Sequence, residues 1–166
     1  VTWESANTWS SSGRGEENNT APPGNDKNLM TGYLDTNATD PTTVTVTGLD
    51  GEFSAGYNVA IYIQGGVNGR GGQYTITTKN RTSTLSLVTD GAFDGTYVPG
   101  GEPGNNFLVM AGFVAPEFTL TALPTTGDTA RAPINGIEIV AIPIPEPSTL
   151  ILTAIGAAGL CVFGRR

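Results

Sequence analysis

From Leu29 to Ala141 apolar and polar positions alternate in short runs, broken by clusters of Gly, Asp, Asn and Pro. In Thr43–Leu49, Val44 and Val46 fall on one side and Thr43, Thr45 and Thr47 on the other, the period-two pattern of a half-buried strand. Asn58–Gln64 sets Val59, Ile61 and Ile63 against Ala60 and Tyr62. Gln73–Thr78 sets Tyr74 and Ile76 against threonines, and Ser83–Thr89 puts Leu85 and Leu87 together. Phe118–Ala122 and Ile134–Ala141 alternate likewise, the latter with Ile137 and Ile139 against Glu138 and Val140. Phe107–Phe113 is almost wholly apolar and predicts a central strand. With Asn28–Asp35 and a short strand near Val1–Trp3, eight or nine strands are predicted. No window before Pro145 carries the 3.6-residue apolar period over three turns. The pattern predicts an all-β protein, an antiparallel β-sandwich of jelly-roll type. Residues 4–28 read as a polar loop containing Trp9.

The pattern changes abruptly at the C-terminus. Leu150–Gly164 holds no charge and only one Thr and one Cys among its polar residues. Leu150, Ile151, Leu152, Ile155, Leu160, Val162 and Phe163 leave no polar face, as expected of a helix in lipid. At ~1.5 Å per residue the run spans roughly 22 Å, short of a ~30 Å hydrocarbon core. Arg165 and Arg166 shorten the deficit by reaching back to headgroups, and they fit an excess of basic residues on the cytoplasmic side. A single transmembrane helix is therefore predicted over residues 148–166. Pro143, Pro145 and Pro147 stiffen a junction at 142–147, and Glu146 would lie near the positive end of the helix. Residues 1–141 form the remaining domain.

The order Pro145–Glu146–Pro147, apolar helix, Arg165–Arg166 resembles the PEP-CTERM sorting signal of Gram-negative bacteria. The resemblance implies export, recognition by a membrane protease of the exosortase type, and an association with exopolysaccharide. It implies inner-membrane anchoring through the helix, then a place at the cell surface or in the extracellular matrix. The body also resembles the β-sandwich of uncharacterised PEP-CTERM proteins of planctomycetes, through NLMTGYLDT, TVTVTGLDG, YNVAIYI, FTLTALPTTG and RAPINGIEIVAIPIPEPSTL. In such proteins further sequence precedes the point where this chain starts, so the domain is expected to be N-terminally truncated. Val1–Thr2–Trp3 shows no charged-then-apolar leader and reads as a mature end or a truncated frame. The resemblance carries no activity.

Composition narrows the chemistry further. Of 15 acidic and eight basic residues, 14 and six lie in residues 1–144, giving that part a charge of −8 and no basic footprint for nucleic acid. There is no histidine, and the one cysteine, Cys161, lies in the apolar run. Internal disulfides, cysteine metal sites and histidine-dependent triads are thereby removed. No cofactor and no metal are expected.

Paired carboxylates could cleave polysaccharide across a cleft. The candidates are Asp90 with Asp94, Asp50 with Glu52, and Asp35 with Asp40, all beside turn residues. Asp in a turn accepts hydrogen bonds from nearby backbone N–H groups, and that role accounts for them. A Ca²⁺ site at Asp90 and Asp94 lacks the regular spacing of a calcium loop. Exposed rings could hold a sugar, and Trp9 and Trp3 are the best candidates, ahead of Tyr62, Tyr74 and Tyr97. The expectation is a non-enzymatic exported protein with a structural or adhesive role. The alternative is a carbohydrate-binding module that holds exopolysaccharide.

Overall fold

The computed structural model describes residues 1–12, 18–37, 39–125 and 131–143. Among them are ten strands: β1 (Thr2–Glu4), β2 (Asn7–Ser10), β3 (Gly32–Asp35), β4 (Thr42–Thr47), β5 (Tyr57–Tyr62), β6 (Gly71–Thr77), β7 (Thr82–Val88), β8 (Phe107–Phe113), β9 (Glu117–Pro124) and β10 (Gly136–Ala141). One helix, α1 (Asn25–Leu29), and a 3-10 turn at Gly51–Phe53 complete the described elements. Five strands pair in the order β1-β4-β9-β6-β7, three in the order β10-β5-β8, and β2 pairs with β3. Every strand pairing is antiparallel. The chain is all-β, as the alternation predicted.

The five-stranded and three-stranded sheets bury their facing side chains in one cluster. Val44, Val46, Tyr74, Ile76, Phe118, Leu120 and Ala122 come from one sheet, and Val59, Ile61, Leu108, Met110 and Phe113 from the other. Tyr57, from β5, anchors an aromatic group, with ring centroids 6.0 Å from both Phe113 and Phe118 and 6.1 Å from Phe53. A smaller cluster of Ala21, Met30 and Phe93, flanked by Leu29, Tyr62 and Tyr97, brings the outer loops together.

Several local expectations are corrected. β8 is not central: it pairs only with β5, at the sheet margin, and Val109 and Gly112 lie on its exposed side. Its apolar composition misled because Gly112 (φ 75) and the Tyr57/Val59 register shift bend the strand. Asn58 Oδ1 accepts there from the Gly112 N–H at 3.0 Å. Residues 7–10, read as loop, form β2 opposite β3. Asn28 and Leu29 belong to α1, so the strand expected from Asn28 begins only at Gly32. Gly71 and Gly72 open β6. A Cβ on Gly72 would run into the Leu123 carbonyl of the neighbouring strand, so this close approach admits only glycine.

The predicted membrane helix at 148–166 lies outside the described residues. Among the described residues no helix is long and apolar enough to cross a membrane.

Two buried tyrosines give a test of the packing. The Tyr74 hydroxyl donates to the Pro133 carbonyl at 3.0 Å, whereas the buried Tyr57 hydroxyl has no hydrogen-bond partner among the described residues. Urea unfolding should show Tyr74→Phe less stable by about 1 kcal/mol and Tyr57→Phe unchanged or more stable, because an unsatisfied buried hydroxyl is a cost. Equal losses in both variants would contradict this packing.

Candidate functional site

The residues that the sequence singled out for sorting, Pro145, Glu146, Pro147, Arg165 and Arg166, lie outside the described residues, as do Leu150, Ile151, Leu152, Ile155, Leu160, Val162 and Phe163. What the structure does place is their point of departure. β10 pairs with β5 over its whole length, and Ile142 N–H still donates to the Gly56 carbonyl at 2.8 Å. The Pro-rich junction thus leaves directly from a strand of the main core.

The candidate carboxylates lie in turns and loops except Asp35, which was expected beside a turn and instead ends β3. Asp94 accepts from the Thr96 backbone N–H at 2.9 Å, and that bond, with the Thr96 hydroxyl, holds its carboxyl below the usual range. Asp90 accepts from Gly104 N–H at 2.6 Å. Asp40 accepts from the Asn37 side chain in a turn closed by Asn37. Asp50 precedes the 3-10 turn that contains Glu52. Asp35 is buried and lies 3.4 Å from the Arg131 guanidinium, a contact that ties β3 to the segment before β10. The structure does bring Asp94 together with Asp26, which the sequence had not paired with it. Both line a pocket of about 350 Å³ with Pro22, Pro23 and Thr96. Among the described residues no group of three or more His, Cys, Asp or Glu is placed to hold a metal.

The aromatic candidates separate into three environments. Tyr74 is fully buried. Trp9 sits on β2 opposite Tyr33, half-buried rather than in an open loop, while Trp3 on β1 is 57% exposed. Tyr62 and Tyr97, both half-buried, meet at 5.1 Å on the outer side of the three-stranded sheet, with Phe107 6.2 Å and 6.5 Å from them. The Tyr62 hydroxyl donates to Glu138 Oε2 at 2.7 Å and the Tyr97 hydroxyl to Asp26 Oδ1 at 3.0 Å. These rings, each carrying a carboxylate partner, form the most chemically organised surface among the described residues. Sequence spacing could not reveal it, because Asp26, Tyr62, Tyr97 and Glu138 come from four separate segments. Alternation on β10 did mark Glu138 as outward.

The opposite layer has a different character. Thr43, Thr121, Thr75 and Thr84 stand in register across four strands, as do Thr45, Thr119, Thr77 and Thr82. Directly paired residues share a face, and the apolar positions between these point inward, so the outer face is a grid of threonine hydroxyls, with Glu4 beside Thr43 and Glu117 beside Thr47 at its margins. Thr45 and Thr119 bond at 3.1 Å, and Thr75 and Thr84 at 2.9 Å. Arg81 sits in the turn between β6 and β7. Its guanidinium donates to Ala111 and Gly112 carbonyls at 2.9 and 2.8 Å and lies 4.7 Å from the Phe113 ring centroid, tying the turn to β8.

The architecture and the point where the chain leaves it define an antiparallel β domain with a C-terminal extension. Residues 143–166 of that extension match the family model of the PEP-CTERM protein-sorting motif. The chain therefore carries a PEP-CTERM sorting signal, which implies an exported, membrane-associated protein and processing by an exosortase. No curated protein matches the chain.

The tyrosine pair makes a titration prediction. Hydrogen bonding to Glu138, then burial, pushes the Tyr62 hydroxyl up to about 12; burial, then Asp26, does the same for Tyr97. Each phenol is an acid held protonated by the fold, so its stabilisation is complete below the unfolded value near 10 and is lost as pH rises towards about 12. Ultraviolet titration should show a late-ionising component that the double variant Tyr62→Phe/Tyr97→Phe removes. An unchanged curve would contradict the two hydrogen bonds.

Proposed function

We propose that this is a non-enzymatic cell-surface or extracellular-matrix protein with a structural or adhesive role. In this reading a sandwich of jelly-roll type is delivered by a C-terminal membrane helix at 148–166. The observation that carries it is the sorting motif beginning where β10 ends. The helix anchors the exported protein in the inner membrane, the exosortase-type protease recognises Pro145–Glu146–Pro147, and the β domain reaches the surface or matrix.

Strand order supports the jelly-roll type, which alternates its connections between two four-stranded layers. β4-β9-β6-β7 makes one such layer, with β6–β7 its single in-layer hairpin. β10-β5-β8 makes three strands of the other, and β3 joins their edge through the antiparallel Leu34↔Ile134 bridge. The turn roles of the carboxylates support a non-enzymatic reading. The threonine rows support an adhesive one, since their central part presents hydroxyls, which cost less to desolvate than charges.

A second reading, a carbohydrate-binding module for exopolysaccharide, is favoured by the Tyr62–Tyr97–Phe107 surface, where flat rings adjoin Glu138 and Asp26. Trp3 and Trp9 remain the candidates from the other side of the molecule.

Fractionation and intact-mass measurement of the native protein, in cells with and without the sorting protease, separate these possibilities from a soluble cytoplasmic fate. The expected result is membrane-bound protein without the protease. With it, the protein should lose mass near Pro147 and move outward, and Pro145→Ala/Pro147→Ala should block that loss. A freely soluble chain with an intact tail in both strains would overturn the sorting reading. Loss of exopolysaccharide retention in Tyr97→Ala would favour the second reading over the first.

A further inference from the structure

The two layers are of unequal width, and the inequality leaves a built groove at one flank. β10 is the last strand of its sheet, and the β3 backbone pairs with that margin only at Ile134, where Leu34 and Ile134 exchange hydrogen bonds of 2.9 and 3.1 Å; beside it the Asn135 side chain donates to the Gly32 carbonyl at 3.1 Å. Above Gly32 the chain turns away into α1, and Leu29 packs over Gly136. Among the described residues Ile137–Ala141 therefore has no neighbouring strand on its outer side.

The ladder phase sets which backbone groups that leaves. Ile142 N–H bonds Gly56, so the even-numbered residues 138 and 140 face β5 by the alternation of an antiparallel pair. The N–H and C=O groups of Ile137, Ile139 and Ala141 point the other way, along an edge that carries no proline, lysine or bulge to blunt it. Beside this edge lies an apolar groove of about 280 Å³ lined by Leu34, Val44, Ile134, Ile137, Ile139 and Trp3. Trp3 pairs with the inward Val44 and so faces the interior, yet it is 57% exposed, at the open side of the groove.

We propose that this groove binds one extended polypeptide strand, antiparallel to β10, with apolar side chains at alternate positions and a basic residue opposite Glu138. The unpaired backbone groups would register it, and the groove would take every second side chain. It would continue the pairing that β3 already makes at Ile134. Charge complementarity sets its outer face, since Glu138 is the one charge on the outward side of β10. A second folded copy does not fit. Offering its own β10 would bring its own β4 into the space that β4 and β1 of this copy already roof.

The test uses the full chain in a Trp9→Phe background, so that Trp3 is the only tryptophan. The probe is a synthetic peptide of about eight residues, long enough to span the edge at ~3.4 Å per residue, with Ile or Val at alternate positions and one Lys on the other face. Saturable blue-shifting of Trp3 emission is expected, with slowed hydrogen exchange at the Ile137, Ile139 and Ala141 amides. A scrambled peptide of the same composition, and one N-methylated on its edge-facing amides, should each bind about tenfold or more weakly, since each loses the alternate packing or the backbone bonds. No shift and no protection, or equal binding of all three peptides, would overturn the proposal. So would protection of those amides in the peptide-free chain that disappears on removal of residues 144–166, which would assign the groove to the protein's own tail. Concentration-dependent protection with dimer formation would assign it to a second copy and equally overturn it.

Discussion

Five strands face three across a single layer of side chains, and the mismatch governs what each part of the surface can do. Where the layers overlap, Leu120, Ile76 and Tyr57 are sealed from solvent and the packing is that of an ordinary interior. Where they do not, Trp3 and Ile139 stay partly uncovered although they point inward. The outer faces then diverge: rows of threonine hydroxyls on the wide sheet, tyrosines joined to carboxylates on the narrow one.

Much of this pattern was legible along the chain. Period-two alternation placed Val44 and Val46, Ile61 and Ile63, and Leu120 on the buried side, because burying one face of a sheet forces that period. It failed where composition and position part company. β8 is apolar throughout yet marginal, since a strand at the sheet margin with a glycine bulge tolerates exposed Val109 without a core behind it. β2 was missed because its partner β3, not its own four residues, stabilises it. The Tyr62–Glu138 and Tyr97–Asp26 contacts were invisible for a different reason: they join segments that only the fold brings together.

The sorting signal was legible for the opposite reason, being a linear pattern read as such. Its meaning depends on where the fold releases it. β10 is bonded along its whole length to β5, the middle strand of its sheet, and the Pro-rich junction starts two residues later. Force on the tail would be transmitted into the core rather than into a loop, and proline at 143 stops the strand from extending further. The same strand presents the apolar groove on its other side, so sorting and partner capture, as proposed, share one structural element without sharing residues.

As proposed, the β domain holds itself together and residues 144–166 serve only as an address. The direct measurement is native-state hydrogen exchange and urea unfolding of the full chain beside a chain ending at Pro143. Both chains should unfold with the same cooperativity, with stabilities agreeing to within about 0.5 kcal/mol. A loss of several kcal/mol, or of cooperative unfolding, in the shortened chain would contradict it.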